Sequence, residues 1–494
     1  MNVTENQPTY QELVEENSHL SAEITYLKQE LALLKRMLFG QKRERFVGLD
    51  RENQLLLDLG LEDNPPKKVE IEKIEYTRRK TVKPQIPPSR NPLPAHLLRK
   101  EIIIEPKEDI TNLKKIGEQV TEELEYKPGR LYVNRYIRPK YARENGEGII
   151  IGSLPDRPIE KGIPGPGLLS HILISKFVDH LPLYRQLQQF KREKVDIAQS
   201  TINDWVRYSC ELLEPLYESQ VAEILKSVYL MADETPIKVL DKSKRGKTHK
   251  GYFWVYYSPL DRGVFFDYRD NRTREGPHEI LKDFKGFLQT DGYNGYDELA
   301  KKTNITSVGC FAHARRKFEK SLDSDPKRAE WMLEQIKQLY KQERLAREKE
   351  LSFSERFQLR QEKSVPILKD IKSWLDQQMS EVLPKSQIGK AIGYMHSFWN
   401  RLEKYVEDGR LEIDNNLVEN AIRPVALGRK NYLFAGSHNG AKRAAIIYSL
   451  VSTAKLQDKE PFAYLKDILA RIASYPHKQI TDLLPVNWKA PETD

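Results

Sequence analysis

Residues 227–236 read Ser-Val-Tyr-Leu-Met-Ala-Asp-Glu-Thr-Pro. The apolar run Tyr229-Leu230-Met231-Ala232 has the make-up of a buried strand, so a strand is expected over Val228–Ala232, with Asp233 emerging where it ends. A second stretch, Gly286-Phe287-Leu288-Gln289-Thr290-Asp291-Gly292-Tyr293, repeats the arrangement: an apolar strand, an aspartate, then a glycine that permits a tight turn. In an α/β sheet, strand ends are where ligand sites form. A third acidic residue, Glu419, lies in Asp414-Asn415-Asn416-Leu417-Val418-Glu419-Asn420-Ala421-Ile422-Arg423-Pro424, on an expected helix. Carboxylates delivered to one sheet edge can hold two Mg²⁺ ions, and metals roughly 3.5–4 Å apart clamp the attacking and leaving oxygens of a phosphodiester exchange. The chain therefore reads as an enzyme that cuts and joins nucleic acid.

Each of these residues also has a plainer reading. Asp233 and Asp291 could be turn or cap residues. Glu419 could close a capping-box-like pair with Asn416 as N-cap, or bridge to Arg423 one turn on, for about 0.3–1 kcal/mol. Asp414 competes with Glu419 as a ligand, although its place ahead of two asparagines suits a helix cap better, and Glu419 is preferred. Pro424 is expected to end or kink the helix. Arg423, Arg429 and Lys430 bring cations towards the site, to hold phosphates or merely to be solvated. His313, in Cys310-Phe311-Ala312-His313-Ala314-Arg315-Arg316-Lys317-Phe318, could assist proton transfer, contact the scissile phosphate, or be a satisfied structural histidine. Arg315, Arg316 and Lys317 add three candidate DNA contacts. The loop Ala435–Arg443, with Gly436 and Gly440, leads into an apolar helix, a weak phosphate-binding signal.

Around the first two aspartates, strands are expected at Val228–Ala232, Tyr252–Tyr257, Val264–Tyr268, Gly286–Thr290 and Thr306–Phe311, with helices at 277–285 and near 294–302. Residues 223–320 and 410–455 then form an α/β core interrupted by a charged helical insertion over 321–409, with a helical tail over 456–494. Upstream, 161–222 is helical. Leu168 to Phe190 carries helical spacing, and a second short helix begins near Ile197, so the pair reads as a helix-turn-helix or a plain helical hairpin. In the former, Ser200, Thr201 and Asn203 lie at the exposed start of a recognition helix while Ile202, Trp205 and Val206 face the core.

Residues 101–160 suggest a small β module with strands at Ile102–Ile104 and Gly129–Arg138, the latter alternating basic and apolar residues. Residues 49–100 carry seven prolines from Pro65 to Pro94 among charged residues and read as a linker. Over 1–48, Tyr10, Leu13, Leu20, Ile24, Leu27, Leu31, Leu34 and Leu38 fall at heptad spacing with Asn17 in the seam, which favours a parallel dimer or, alternatively, an amphipathic helix packed on its own chain.

The bulk numbers fit this order. With 494 residues, 39% hydrophobic and 31% charged, several cores are expected. The 81 Lys and Arg against 72 Asp and Glu leave +9, so any basic surface is local, which suits double-stranded DNA as a partner. Two distant cysteines, Cys210 and Cys310, give no disulfide framework and fit a reducing cytoplasm. No signal-like or membrane-spanning run is seen, so no membrane partner is expected.

Jointly, Ala-Asp-Glu-Thr-Pro at 232–236, Thr-Asp-Gly-Tyr-Asn-Gly-Tyr at 290–296, Gly-Cys-Phe-Ala-His-Ala-Arg-Arg-Lys-Phe at 309–318, the Glu419 stretch and Gly-Arg-Lys-Asn-Tyr-Leu-Phe-Ala-Gly-Ser at 428–437 resemble the insertion-sequence-66 family of DDE transposases. Leu33-Leu34-Lys35-Arg36-Met37-Leu38-Phe39-Gly40 is similar to the end of that family's leucine-zipper-like N-terminus. The resemblance implies a multidomain α+β protein with an RNase H-like catalytic core and a helical insertion. It implies catalysis by Asp233, Asp291 and Glu419 with Mg²⁺, or Mn²⁺, on the element's terminal inverted repeats and target DNA, in a bacterial cytoplasm. It also implies a homodimer or higher oligomer and accessory proteins of the same element. Many family members carry a cysteine-rich zinc module where this chain, through Arg138-Pro139-Lys140-Tyr141-Ala142-Arg143, has no cysteine, so no structural zinc is expected. Two rivals stand beside this reading: a DNA-binding scaffold with a decayed core, and a tyrosine recombinase drawing its nucleophile from 24 tyrosines.

Overall fold

The chain divides into two units, Met1–Tyr126 and Lys127–Asp494. A computed structural model describes residues of the second unit between 129 and 491, apart from 130, 138–139, 143–148, 152–155, 161, 241–246, 297 and 300–303. The expected seam over 1–48, the linker over 49–100 and the strand Ile102–Ile104 lie outside the described residues.

The strand expected at Gly129–Arg138 is not formed by the described part of that run. Instead β1 (Lys140–Ala142) pairs antiparallel with β2 (Ile149–Ile151). Leu131 packs against the main core, but Tyr132, Val133 and Ile137 are 80%, 89% and 76% exposed, so the alternating run buries no continuous face.

The helical spacing from Leu168 resolves into α1 (Pro166–Phe177) and α2 (Leu183–Arg192), broken at His180, whose φ is +59°, and at Pro182. Then α3 (Gln199–Ile224) begins after a short turn; at 26 residues it is far longer than the short second helix expected. Its Ile202, Trp205 and Val206 are buried, and Ser200 and Asn203 are exposed.

A five-stranded sheet follows, built from β3 (Tyr229–Leu240), β4 (Thr248–Ser258), β5 (Gly263–Arg269), β6 (Gly286–Gln289) and β7 (Ile305–Val308), in the order β5-β4-β3-β6-β7. The β3-β4-β5 ladder is antiparallel; β6 and β7 run parallel to β3. Alternation along β3 sends Tyr229, Met231, Ile237 and Val239 into the main core, and Leu230 and Ala232 into a smaller core on the other face with Trp254, Tyr256, Phe265 and Leu288. Between β5 and β6, α4 (Glu275–Ile280) ends five residues sooner than expected. Gly286 is required where β6 starts: its φ is +137° and a Cβ would run into the Val228 carbonyl. After β6 a 3₁₀ turn, Asn294–Tyr296, precedes helical Glu298 and Leu299, within the helix expected near 294–302. β7 also stops at Val308, because Phe311 already opens α5 (Phe311–Glu319).

Helices α6 (Pro326–Glu348), α7 (Phe353–Leu359), α8 (Val365–Glu381), α9 (Gln387–Ser397) and α10 (Trp399–Leu402) make up the charged segment ahead of Glu419. Its centre is ionic. Glu343 on α6 is fully buried and accepts from Arg356 at 2.7 and 3.0 Å and from Arg360 at 2.8 and 2.9 Å. Burial alone would raise the Glu343 carboxyl, but the two guanidinium groups outweigh it and hold it below the ordinary carboxylate value. Arg360 also donates to the carbonyls of Tyr405, Asp408 and Leu411, and Arg356 grips Glu412 with two bonds of 2.8 Å. The segment that leads into α11 (Asn416–Tyr432) is thereby tied to the insertion. The final helices are α12 (His438–Leu456), which packs on β5, and α13 (Pro461–Arg471), which packs on α1.

Candidate active site

Asp233 is not at a strand end. It is the fifth of twelve residues in β3, which continues to Leu240 because its antiparallel pairing with β4 runs unbroken from Met231 to Leu240. The parallel partner β6, however, accompanies β3 only from Tyr229 to Met231, so Asp233 lies just past the point where one neighbour leaves. Asp291 follows β6 on that same side. Its Oδ1 accepts the Tyr293 amide at 2.9 Å, and Gly292 turns the chain with φ +93°. Tyr394 on α9 donates its hydroxyl to the Asp291 carbonyl at 3.1 Å.

Glu419 lies in the first turn of α11. The capping-box alternative is not formed: Asn415 holds the cap position, its side chain makes no cap bond, and Asn416 is already helical. The Glu419 carboxylate instead takes two bonds from Arg316 on α5, at 2.9 and 3.0 Å. Asp414 is buried and engaged by the Tyr340 hydroxyl at 2.7 Å and by the Asn416 amide groups at 3.0 and 2.9 Å. Pro424 does not end α11, which runs on to Tyr432.

Electrostatics joins the three carboxyls. Asp233 is pushed well above the ordinary carboxylate value, first by burial and then by the negative charges of Glu234, Asp291 and Glu419. His313 is lowered, first by burial and then by Arg316, while Glu419 and Asp291 pull the other way; its Nε2 stands 3.9 Å from a Glu419 oxygen. Its Nδ1 is buried without a partner. Three clustered carboxyls suit a hard divalent cation such as Mg²⁺. As the side chains stand, no three His, Cys, Asp or Glu groups among the described residues are placed to hold a metal ion, and Arg316 occupies Glu419.

The remaining expected contacts divide. Lys317 places its ammonium 4.4 Å from the Tyr394 ring, beside the Asp291 turn, whereas Arg315 pairs along its own helix with Glu319 at 2.9 Å. Arg423 is half-buried one turn after Glu419, Arg429 donates to the Pro236 carbonyl, and Lys430 is exposed. Ser200, Thr201 and Asn203 sit at the start of α3. Sequence reasoning missed the roles of three groups. Glu234, next to Asp233, has a buried side chain paired with Arg272 on the opposite sheet face, and Arg272 lies over the Tyr293 ring at 4.3 Å. Tyr229 donates to Gln289 at 2.5 Å and accepts the Glu412 amide at 3.1 Å. Tyr394 comes from the insertion. Of these only Glu234 carried a signal, its adjacency to Asp233.

Comparison with known proteins matches residues 161–443 to the Transposase IS66 family, more than half of the chain. The chain belongs to the IS66 transposase family. The IS66 C-terminal element matches 449–486, and a model described as "Transposase C of IS166 homeodomain" matches 26–102, across the expected seam and linker. The zinc-finger binding domain of transposase IS66 matches 109–142, so the expectation of no structural zinc finds no support there, although that stretch contains neither cysteine nor histidine. Two relatives from Sinorhizobium fredii (strain NBRC 101917 / NGR234) are similar along their lengths. The uncharacterized protein y4hP is 34% identical, covering 94% of this chain and 89% of its own. The uncharacterized protein y4jD is 33% identical, covering 97% and 98%. An IS66-family transposase of this kind handles DNA, and no described helix is long and apolar enough to cross a membrane.

Proposed function

We propose that this protein is a DDE transposase that cuts DNA at the ends of its insertion sequence and joins the freed 3′-hydroxyl to target DNA, on an RNase H-like core. The observation that carries the reading is the placement of three carboxyls on one side: Asp233 on β3 just past the point where β6 leaves, Asp291 in the turn after β6 and Glu419 in the first turn of α11, with Asp291 and Glu419 near enough to raise Asp233. The sheet order β5-β4-β3-β6-β7, antiparallel then parallel, supports the fold assignment. Asp233, Asp291 and Glu419 would hold Mg²⁺, or Mn²⁺, in competition with Arg316 for Glu419. When bound, the divalent ions supply charge neutralisation at the attacking and leaving oxygens. Arg316 and Lys317 are the cations best placed for the scissile phosphate, and His313, kept neutral, offers a proton acceptor beside it. Ser200, Thr201, Asn203, Arg423 and Lys430 are assigned to DNA further out. The working form is a dimer or higher oligomer through residues 10–38, acting with accessory proteins of the same element in the bacterial cytoplasm.

A DNA-binding scaffold is the second reading, and the Arg316–Glu419 pair, one guanidinium nitrogen shared between both carboxylate oxygens, favours it. One assay separates the two. Full-length protein and Asp291→Ala are incubated with labelled element-end duplex in Mg²⁺ or EDTA. A Mg²⁺-dependent nick exposing a 3′-hydroxyl, lost in the variant, sustains the enzyme. Binding without nicking selects the scaffold, and a covalent protein–DNA adduct in EDTA selects a tyrosine recombinase.

A further inference from the structure

Leu433 ends α11 in a conformation that side chains rarely adopt: φ is +63° and ψ −46°, and the Phe434 amide donates to the Tyr432 carbonyl at 2.7 Å. This is a γ-turn centred on Leu433, a strained turn for any residue but glycine. The strain does not serve the core, for Leu433 is 64% and Phe434 40% exposed. What fixes the turn is the strand beside it. Ala435 donates to the Lys238 carbonyl and accepts from the Leu240 amide, both at 2.8 Å, so the turn is pinned to the outer end of β3.

The surroundings are basic. Lys238 and Lys250, paired across the outer ends of β3 and β4, are exposed, as are Lys247 just before β4, Lys430 one turn before Leu433 and Lys442 in the second turn of α12. His249 and His438 approach with ring centroids 5.5 Å apart between these groups, the former facing the Asp270 carbonyl. Two large exposed apolar side chains at a strained turn, with exposed lysines on the strands and helices that adjoin it, suit a polyanion with a stacked apolar interior. Duplex DNA has both, and proteins that kink it insert apolar side chains between base steps while cations hold the phosphates.

We infer that Leu433 and Phe434 form a wedge that unstacks a base step of the bound DNA, with Lys238, Lys250 and Lys430 on the flanking phosphates. Val239, which bridges to Ala435 beside the turn, is six residues beyond Asp233 on the same strand and the same face. At about 3.3 Å per residue that is about 20 Å, or about six base pairs from the point of cleavage. The inference rests on the transposase reading and adds a deformation of the DNA to it.

The test uses the full chain and element-end duplexes carrying 2-aminopurine at successive positions around the sixth pair from the cut, in Ca²⁺ to permit binding without cutting. Nicking of the same duplex in Mg²⁺ is scored alongside. Wild-type protein should raise the fluorescence several-fold at one or two adjoining positions. The Leu433→Ser/Phe434→Ser double variant should return it to the level of free duplex while anisotropy shows binding retained. Phe434→Ala alone, which leaves the turn residue in place, should lose most of the rise. A wild-type protein that binds and nicks but leaves every position stacked overturns the wedge and spares the transposase, as does a double variant that keeps the rise. A protein that neither binds nor nicks overturns both.

Discussion

Arg316 on α5 donates to both carboxylate oxygens of Glu419 on α11, at 2.9 and 3.0 Å, across 103 residues of sequence. The pair closes the site over the one candidate ligand that comes from outside the sheet. Both partners remain partly open to solvent, so the bond itself is worth little, about 0–1 kcal/mol.

Arg316→Ala should therefore leave thermal stability within a degree or two while strengthening Mn²⁺ binding, because the cation no longer competes with a guanidinium. Titration followed by electron paramagnetic resonance reads the affinity. Weaker Mn²⁺ binding in the variant would mean that Arg316 supports the ion rather than competing with it.

Asp233 is raised by burial and by neighbouring carboxylates, so its charged form is disfavoured in the fold. The sign follows: this group costs stability as pH rises from the unfolded value of about 3.9 through the folded one. In EDTA, Asp233→Asn should melt higher than wild type at pH 7, and the gap should close as pH falls to about 4. Melting curves across pH check this, and a gap that widens in acid contradicts it.

Glu343 neutralises two buried guanidinium groups. Removing one partner of a buried ionic set costs about 3–5 kcal/mol. Glu343→Ala should lose about that much in urea unfolding, and nicking should fall further than DNA binding because the Tyr405–Glu412 segment loosens ahead of α11.

Tyr229→Phe removes a hydroxyl that bridges Gln289 on β6 and the Glu412 amide. The expected cost is about 1–3 kcal/mol for buried groups left unpaired. Cleavage should drop while the salt dependence of DNA binding stays unchanged, since no phosphate contact is touched.

Gly286→Ala should be strongly destabilising, because the backbone sits at φ +137° with the Val228 carbonyl where a Cβ would go. A loss of about 1–3 kcal/mol or more in urea unfolding is expected. A variant as stable as wild type would show that the start of β6 can shift.

The five strands were legible because their apolar runs are continuous and bounded by turn residues. Tyr229–Ala232 and Phe287–Leu288 announce themselves by composition alone. The extension of β3 past Asp233 was not legible, since Asp, Glu, Thr and Pro in a row carry every local sign of a strand end; pairing with β4 overrides them. The basic alternation at 131–137 failed for the reverse reason, a strand-like period in which only Leu131 meets a core. Within the candidate site, Asp233, Asp291, Glu419 and His313 stood out from their local settings. The partners that hold them, Arg316 across from Glu419 and Tyr394 behind Asp291, depend on contacts between elements about a hundred residues apart, which no local pattern encodes.

The ionic knot of Glu343, Arg356 and Arg360 also sets limits on inheritance. A cassette of 321–409 swapped between related elements would carry the Arg360 bonds to Tyr405 and Asp408 with it, but the bonds from Arg360 to Leu411 and from Arg356 to Glu412 cross its end and would have to be remade by the recipient. The third carboxylate is thus held in place partly from within the insertion, by the same guanidinium groups that Glu343 neutralises.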